Sequence, residues 1–162
     1  MTGPVFRAVV ITVSDRVHTG VYEDRSGPAA VAALIALGFA IERTAVLPDE
    51  AEEISAALIE WSARVDLIVT TGGTGCAPRD FTPEATMRVI ERPVSGIAEK
   101  MRIAGSEFEP RSWLSRGVAG LRGACLIVNL PGSPKGVRES LDAVGSLLLH
   151  AVGLATGTAG HN

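Results

Sequence analysis

Thr71-Gly72-Gly73-Thr74-Gly75, with Arg79-Asp80-Phe81-Thr82-Pro83-Glu84-Ala85 close behind it, has the residue types of an anion site. Glycines let successive amides turn toward an anion at close range. Thr82-Pro83 reads as a helix start, and a helix N-terminus adds positive potential at the same place. A second small-residue turn, Asn129-Leu130-Pro131-Gly132-Ser133-Pro134, is followed by Lys135. A cation in the first turn of a helix opposes the helix dipole, so Lys135 points to an anionic partner, although a solvated surface lysine explains it as well. Arg79 offers a second cation beside the glycines. Ser133, Thr82 and Glu84 read either as ligand-shaping residues or as helix caps and first-turn residues.

Three acids accompany these turns: Asp15 after Ser14, Asp49 after Pro48, and Asp80. Carboxylates repel a polyphosphate unless a hard cation intervenes, and Mg²⁺ is held by one or two carboxylates together with phosphate oxygens. Each acid also has a plainer local reading. Asp49 fits a helix cap, Asp80 an ion pair with Arg79, and Asp15 a turn-forming side chain. Gly-Gly-Thr-Gly alone marks a tight turn as readily as a phosphate site. The chain lacks the Walker lysine and the Gly-x-Gly-x-x-Gly fingerprint. His18, His150 and His161 are scattered, and Cys76 and Cys125 are isolated. Neither a nucleophilic triad nor a zinc site is therefore expected.

These loops need a frame that brings them together. Val5 to Val13 is a continuous, β-branched run without alternation, the pattern of a strand buried on both faces of a parallel sheet. Ser26-Gly27-Pro28 opens a helix through Leu37 that Gly38 closes. Ala40 to Leu47 reads as a strand near an edge, because it carries Glu42 and Arg43. Asp49 with Glu52 resembles a capping box for the next helix, whose apolar face is Ile54, Leu58 and Trp61. Val65 to Thr71 is the third strand. Helices are expected from Thr82 to about Ile90 and from Gly96 to Glu107, the latter capped by Ser95. Val118 to Leu121 and Ala124 to Asn129 read as a hairpin, which makes one strand antiparallel. The last helix starts at Ser133-Pro134, and the chain loosens from about residue 156. Strand–helix alternation with one hairpin predicts a single three-layer α/β/α domain over residues 1–162, with a mostly parallel sheet and one antiparallel edge strand. In such a sheet ligands bind beyond the carboxyl ends of the strands, where every motif above falls.

Composition narrows the partners. Of the 162 residues 46% are hydrophobic and only 4% aromatic, so the core is aliphatic and no stacking platform for single strands is evident. A net charge of −3 argues against non-specific nucleic-acid binding. No apolar run reaches membrane-spanning length and no secretory signal is apparent, so a cytoplasmic protein is expected.

Val13-Ser14-Asp15-Arg16, Leu47-Pro48-Asp49-Glu50, the glycine loop with Arg79 to Ala85, and Asn129 to Gly136 occur in the order and form of one family. Together they resemble the Mog/MoaB family of molybdenum cofactor biosynthesis along nearly the whole chain, in the short format of its stand-alone bacterial members. The resemblance implies a molybdopterin-binding fold, commonly a trimer, and molybdopterin adenylyltransferase activity. That reaction moves AMP from MgATP to the terminal phosphate of molybdopterin and releases pyrophosphate. The family's acidic metal and catalytic positions match Asp49 and Asp80. Its phosphate and pterin contacts match Thr71, Gly72, Gly73, Thr74 and Gly75 and the Asn129–Pro134 turn, with Ser14 and Asp15 lining the same site. The substrate phosphate is already a nucleophile, so alignment and charge neutralisation suffice. A downstream molybdotransferase is an implied partner. A non-catalytic pterin-binding or scaffold homologue is the alternative.

Overall fold

The computed structural model describes residues 3–159. It is a three-layer α/β/α domain, as the strand–helix alternation requires. In chain order the elements are β1 (Arg7–Val13), α1 (Asp15–His18), α2 (Ser26–Leu37), β2 (Ala40–Leu47), α3 (Ala51–Ser62), β3 (Leu67–Thr71), α4 (Thr82–Met87), β4 (Arg92–Pro93), α5 (Ser95–Ser106), a 3₁₀ turn (Pro110–Leu114), β5 (Ala119–Arg122), β6 (Cys125–Leu130) and α6 (Pro134–Ala155). The sheet order is β2-β1-β3-β6-β5-β4. β1, β2, β3 and β6 are parallel, while β5 runs antiparallel to its neighbours β6 and β4. The antiparallel strand is the first arm of the expected hairpin. The two-residue β4 covers its outer side, and it is too short to leave a pattern in the sequence.

Successive residues of a strand face opposite sides of the sheet, and both sides here are covered. Ala8, Val10, Leu67, Val69, Leu126, Val128 and Leu130 pack beneath α2, α5 and α6. Val9, Ile11, Val13, Ile68, Cys125 and Ile127 pack beneath α3 and α4. Continuous apolar runs mark these strands because neither of their faces meets water. β2 is an edge strand with no fully buried side chain, in keeping with Glu42 and Arg43.

The helix starts divide into two kinds. Ser133 caps α6, its Oγ accepting from the Gly136 amide at 3.0 Å, and Gly38 closes α2 with φ 100°. The Asp49–Glu52 capping box does not form. α3 starts at Ala51 with Glu50 at its N-cap and no side-chain cap, because the Asp49 carboxylate is held elsewhere. Ser95 and Thr82 likewise lie inside the first turn of their helices and cap nothing. α4 ends at Met87, short of Ile90. After α6, the amides of Thr158 and Ala159 donate back to Gly153 O, both at 2.9 Å, so the chain is tied down through Ala159. The expected loosening otherwise falls on residues outside those described.

Candidate active site

β1, β2, β3 and β6 end on the same edge of the sheet, and the loops that follow them meet there. The meeting point is backbone against backbone. Gly72 N donates to Leu130 O at 3.2 Å. A Cβ on Gly132 would lie 3.2 Å from Gly72 Cα, and one on Gly72 would collide with Val13 O. Gly72 and Gly73 have φ of 88° and 67°, a region that side chains disfavour. Glycine is thus required where the two turns touch. Cavities lie on both sides of this contact. One, of about 660 Å³, is bounded by the glycine loop, α5, the 3₁₀ turn and the start of α6. The other, of about 510 Å³, is bounded by the β1 loop, Asp24, Asp49 and Thr71. Gly72, Gly73, Asp80 and Gly132 line both.

The glycine loop is held by its carbonyls. Thr82 Oγ1 donates to Gly72 O at 3.0 Å, and Thr82 N donates to Gly73 O at 3.1 Å. Arg116 N donates to Thr74 O at 2.8 Å, and Arg116 Nε to Gly75 O at 2.7 Å. Among the described residues the amides of Gly73, Thr74, Gly75 and Cys76 find no protein acceptor, nor do those of Gly132 and Ser133. A run of free amides in a glycine turn beside the N-terminus of the 22-residue α6 is an anion cradle.

The acids are arranged around it. Asp15 N donates to Asp49 Oδ2 at 2.8 Å, and Asp49 N donates to Asp15 Oδ1 at 3.0 Å, so each carboxylate caps the other's backbone. Arg79 fixes the pair: Nε donates to Asp15 Oδ2 at 2.7 Å, and Nη2 reaches Asp49 O and Glu50 Oε1. Arg79 thus holds Asp15 below the usual carboxylate range. Asp49 is pushed upward, first by burial and then by the neighbouring Asp15 and Asp80 charges, against the pull of Asp15's amide. Asp49 Oδ1 stands beside Gly73, and Asp80 Oδ2 accepts from Ala77 N at 2.9 Å, close to Gly75. Asp49 and Asp80 therefore flank the amide cradle, each with one oxygen that accepts no protein hydrogen bond among the described residues. No group of three His, Cys, Asp or Glu side chains forms a closed metal site among those residues. Two half-free carboxylates at a phosphate cradle instead suit Mg²⁺, which keeps most of its shell for phosphate and water.

Some expected ligand contacts have other work. Asn129 is buried; its Nδ2 donates to Thr70 Oγ1 and Thr86 Oγ1, and its Oδ1 accepts from Val118 N. That side chain ties β6 to β3, to α4 and to the residue before β5, with both its N–H donors spent inside the protein, although Asn129 also lines the larger cavity. Glu84 pairs with Arg116 behind the loop and lines neither cavity. Arg79 is committed to Asp15 and Glu50, so the expected phosphate contact is spent on the acidic loop, and Asp80 does not pair with it. Thr71 Oγ1 shares a 2.8 Å hydrogen bond with Ser26 Oγ, and Ser14 Oγ accepts from Val17 N. Thr82 braces the loop. Thr74, Pro131, Gly132, Ser133 and Lys135 line the larger cavity, Lys135 Nζ lying 3.7 Å from Glu139. Arg116 was not legible, because nothing in Ser115-Arg116-Gly117 marks it and its partners lie 32 to 41 residues away.

An open α/β sheet whose strand-end loops meet at two cavities, with free amides and two acids between them, has the form of a ligand-binding domain. Residues 9–151 match the family model described as a probable molybdopterin binding domain. The chain is 43% identical to the molybdopterin adenylyltransferase of Helicobacter pylori strain J99, over 91% of this chain and 86% of that protein. It is 39% identical to the Escherichia coli K12 molybdopterin adenylyltransferase, over 90% and 79%. Among solved structures, the molybdopterin biosynthesis enzyme MoaB of Thermus thermophilus superposes with a TM-score of 0.90 at 48% identity, covering 94% of this chain and 98% of that one. The chain belongs to the molybdopterin-binding domain family of molybdenum cofactor biosynthesis.

Proposed function

We propose that this chain is a molybdopterin adenylyltransferase. In the reaction a terminal phosphate oxygen of molybdopterin attacks the α-phosphorus of ATP. A new O–P bond forms, the bond to the bridging oxygen of the β-phosphate breaks, and pyrophosphate leaves with that electron pair. One observation carries the reading: Asp49 and Asp80 flank a run of free amides at the point where two cavities meet. Two cavities joined at a phosphate cradle suit two phosphate-bearing substrates brought end to end. The amides of Gly73 to Cys76, with those of Gly132 and Ser133, hold phosphate oxygens in line and stabilise charge that grows on them. Asp49 and Asp80 are the residues that would hold Mg²⁺, which neutralises phosphate charge when bound. The raised pKa of Asp49 supports a cation requirement, since burial and two like charges leave its anion undercompensated.

The same reading takes the protein to be a cytoplasmic homotrimer that hands its product to a molybdotransferase. No helix among the described residues is long and apolar enough to cross a membrane. Ile97 of α5 is buried, whereas Ile103 of α5, Phe108 in the link after it, and Trp113 and Leu114 of the 3₁₀ turn are exposed and offer apolar area for a neighbouring subunit. The functional test is ATP-dependent pyrophosphate release on adding molybdopterin. Molybdopterin binding without release would mark a pterin-binding homologue instead.

A further inference from the structure

Arg116 lies behind the glycine loop and lines neither of the two cavities that meet at Gly72 and Gly132. It nevertheless makes more bonds to the loop than any residue that does line them. Its amide takes Thr74 O, its Nε takes Gly75 O at 2.7 Å, and its Nη2 takes Asp80 O at 2.7 Å. Its Nη1 pairs with Glu84, which lowers the Glu84 carboxyl and keeps the guanidinium in place. One planar fork thus spans both ends of the 75–80 segment, a geometry that a lysine cannot reproduce.

The consequence follows from the planarity of the peptide unit. The described residues contain no cis peptide, so the N–H of each residue points opposite to the carbonyl before it. With Thr74 O and Gly75 O turned to Arg116, the amides of Gly75 and Cys76 face the other way. Thr82 does the same for the amides of Gly73 and Thr74 by taking Gly72 O and Gly73 O. The four-amide cradle is therefore the reverse side of a four-carbonyl anchor. The hold on Asp80 O sets where the Asp80 side chain leaves the backbone.

We propose that Arg116, kept in register by Glu84, is a positioning residue that aims the Gly75 and Cys76 amides and Asp80 at the reacting phosphates. It acts through the main chain: Arg116 and Glu84 line a separate cavity with Ala77, Pro78 and Phe81, and neither lines the two cavities that meet at the cradle. This rests on the adenylyltransferase reading for its catalytic part and on geometry alone for its anion-binding part.

Pyrophosphate release from MgATP and molybdopterin is to be measured for wild type, Arg116→Ala, Arg116→Lys and Glu84→Gln, with calorimetric binding of inorganic pyrophosphate and melting temperature alongside. Arg116→Ala should lower kcat by about tenfold to a hundredfold, the scale of a misplaced reacting geometry. Its melting temperature should stay within about 4 °C of wild type. Methylguanidinium should restore part of that kcat, and methylammonium should not. Arg116→Lys, with a single ammonium, should remain impaired, and Glu84→Gln should fall between it and wild type. Pyrophosphate affinity should drop at least about fivefold in Arg116→Ala, a loss that needs no turnover to be seen. A kcat within about twofold of wild type, or equal rescue by methylammonium, would overturn the proposal. If Arg116→Ala does not fold, Arg116→Lys decides: wild-type kcat there overturns it. If wild type itself releases no pyrophosphate, the functional reading fails and pyrophosphate affinity alone judges the loop, unchanged binding in Arg116→Ala counting against it.

Discussion

Asp49 and Asp15 exchange backbone hydrogen bonds yet sit in opposite electrostatic states, and that difference makes them separable by experiment. Asp15 is held low by Arg79. Its stabilising contribution is present above its ordinary carboxylate value and is lost as pH falls through the lowered one. Asp49 is pushed up by burial. Whatever it contributes is present below its ordinary value and is lost as pH rises through the raised one, so at neutral pH its ionised form is a net cost. Asp49→Asn should therefore raise the melting temperature at neutral pH, while its remaining carbonyl still accepts from Asp15 N. A lower melting temperature than wild type would contradict this assignment. Asp15→Asn should do the reverse, melting earlier at neutral pH with the deficit fading in acid. Asp80→Asn should fold as wild type and lose more than about tenfold in adenylylation, since the role proposed for it is to meet charge at the transferred phosphate. Unchanged turnover would remove Asp80 from the catalytic role. The three acids were readable as a group, because their loops all follow strands that end on one edge of the sheet, while each alone has a plainer local reading. The Asp15–Asp49 exchange was not readable, because its two halves lie 34 residues apart and a cap explains Asp49 locally.

The turns and strand ends carry the next level of the account. Gly132→Ala should push the two turns apart at Gly72, where its methyl carbon would arrive at 3.2 Å. Pyrophosphate affinity should then fall by about tenfold with a stability loss of about 1–2 kcal/mol, typical of a tight backbone approach. Binding as tight as wild type would mean that the close contact does not define the site. Asn129→Ala should cost about 2–4 kcal/mol, because it strands the Val118 amide and the buried Thr70 hydroxyl and takes one of two partners from the Thr86 hydroxyl. A melting curve superposable on wild type would refute the scaffold role assigned to it. Elements that declare themselves by pattern were legible: the buried runs of β1, β3 and β6, the hairpin, and the Ser133 cap. Elements fixed by partners distant in sequence were not. α3 starts one residue later than a capping box at Asp49 would place it, and β4 exists only because β5 offers it an edge.

For the molecule as a whole, the fold supplies one rigid edge on which loops from four strands converge, and the chemistry is divided between that edge and its braces. Thr82 and Arg116 hold the glycine loop from behind, Arg79 holds the acidic loop, and the faces turned to the cavities are left with free amides and two carboxylates. The exposed Phe108 and Trp113 predict that the domain is not alone in solution. Sedimentation at micromolar concentration should give the mass of three chains, and a clean monomer would exclude the proposed trimer. The most direct test of the central claim is pyrophosphate release from MgATP on adding molybdopterin, with Asp49→Ala/Asp80→Ala measured beside wild type. Release by wild type alone is the predicted result. No release by a wild type that still binds molybdopterin, or equal release by the double variant, would contradict it.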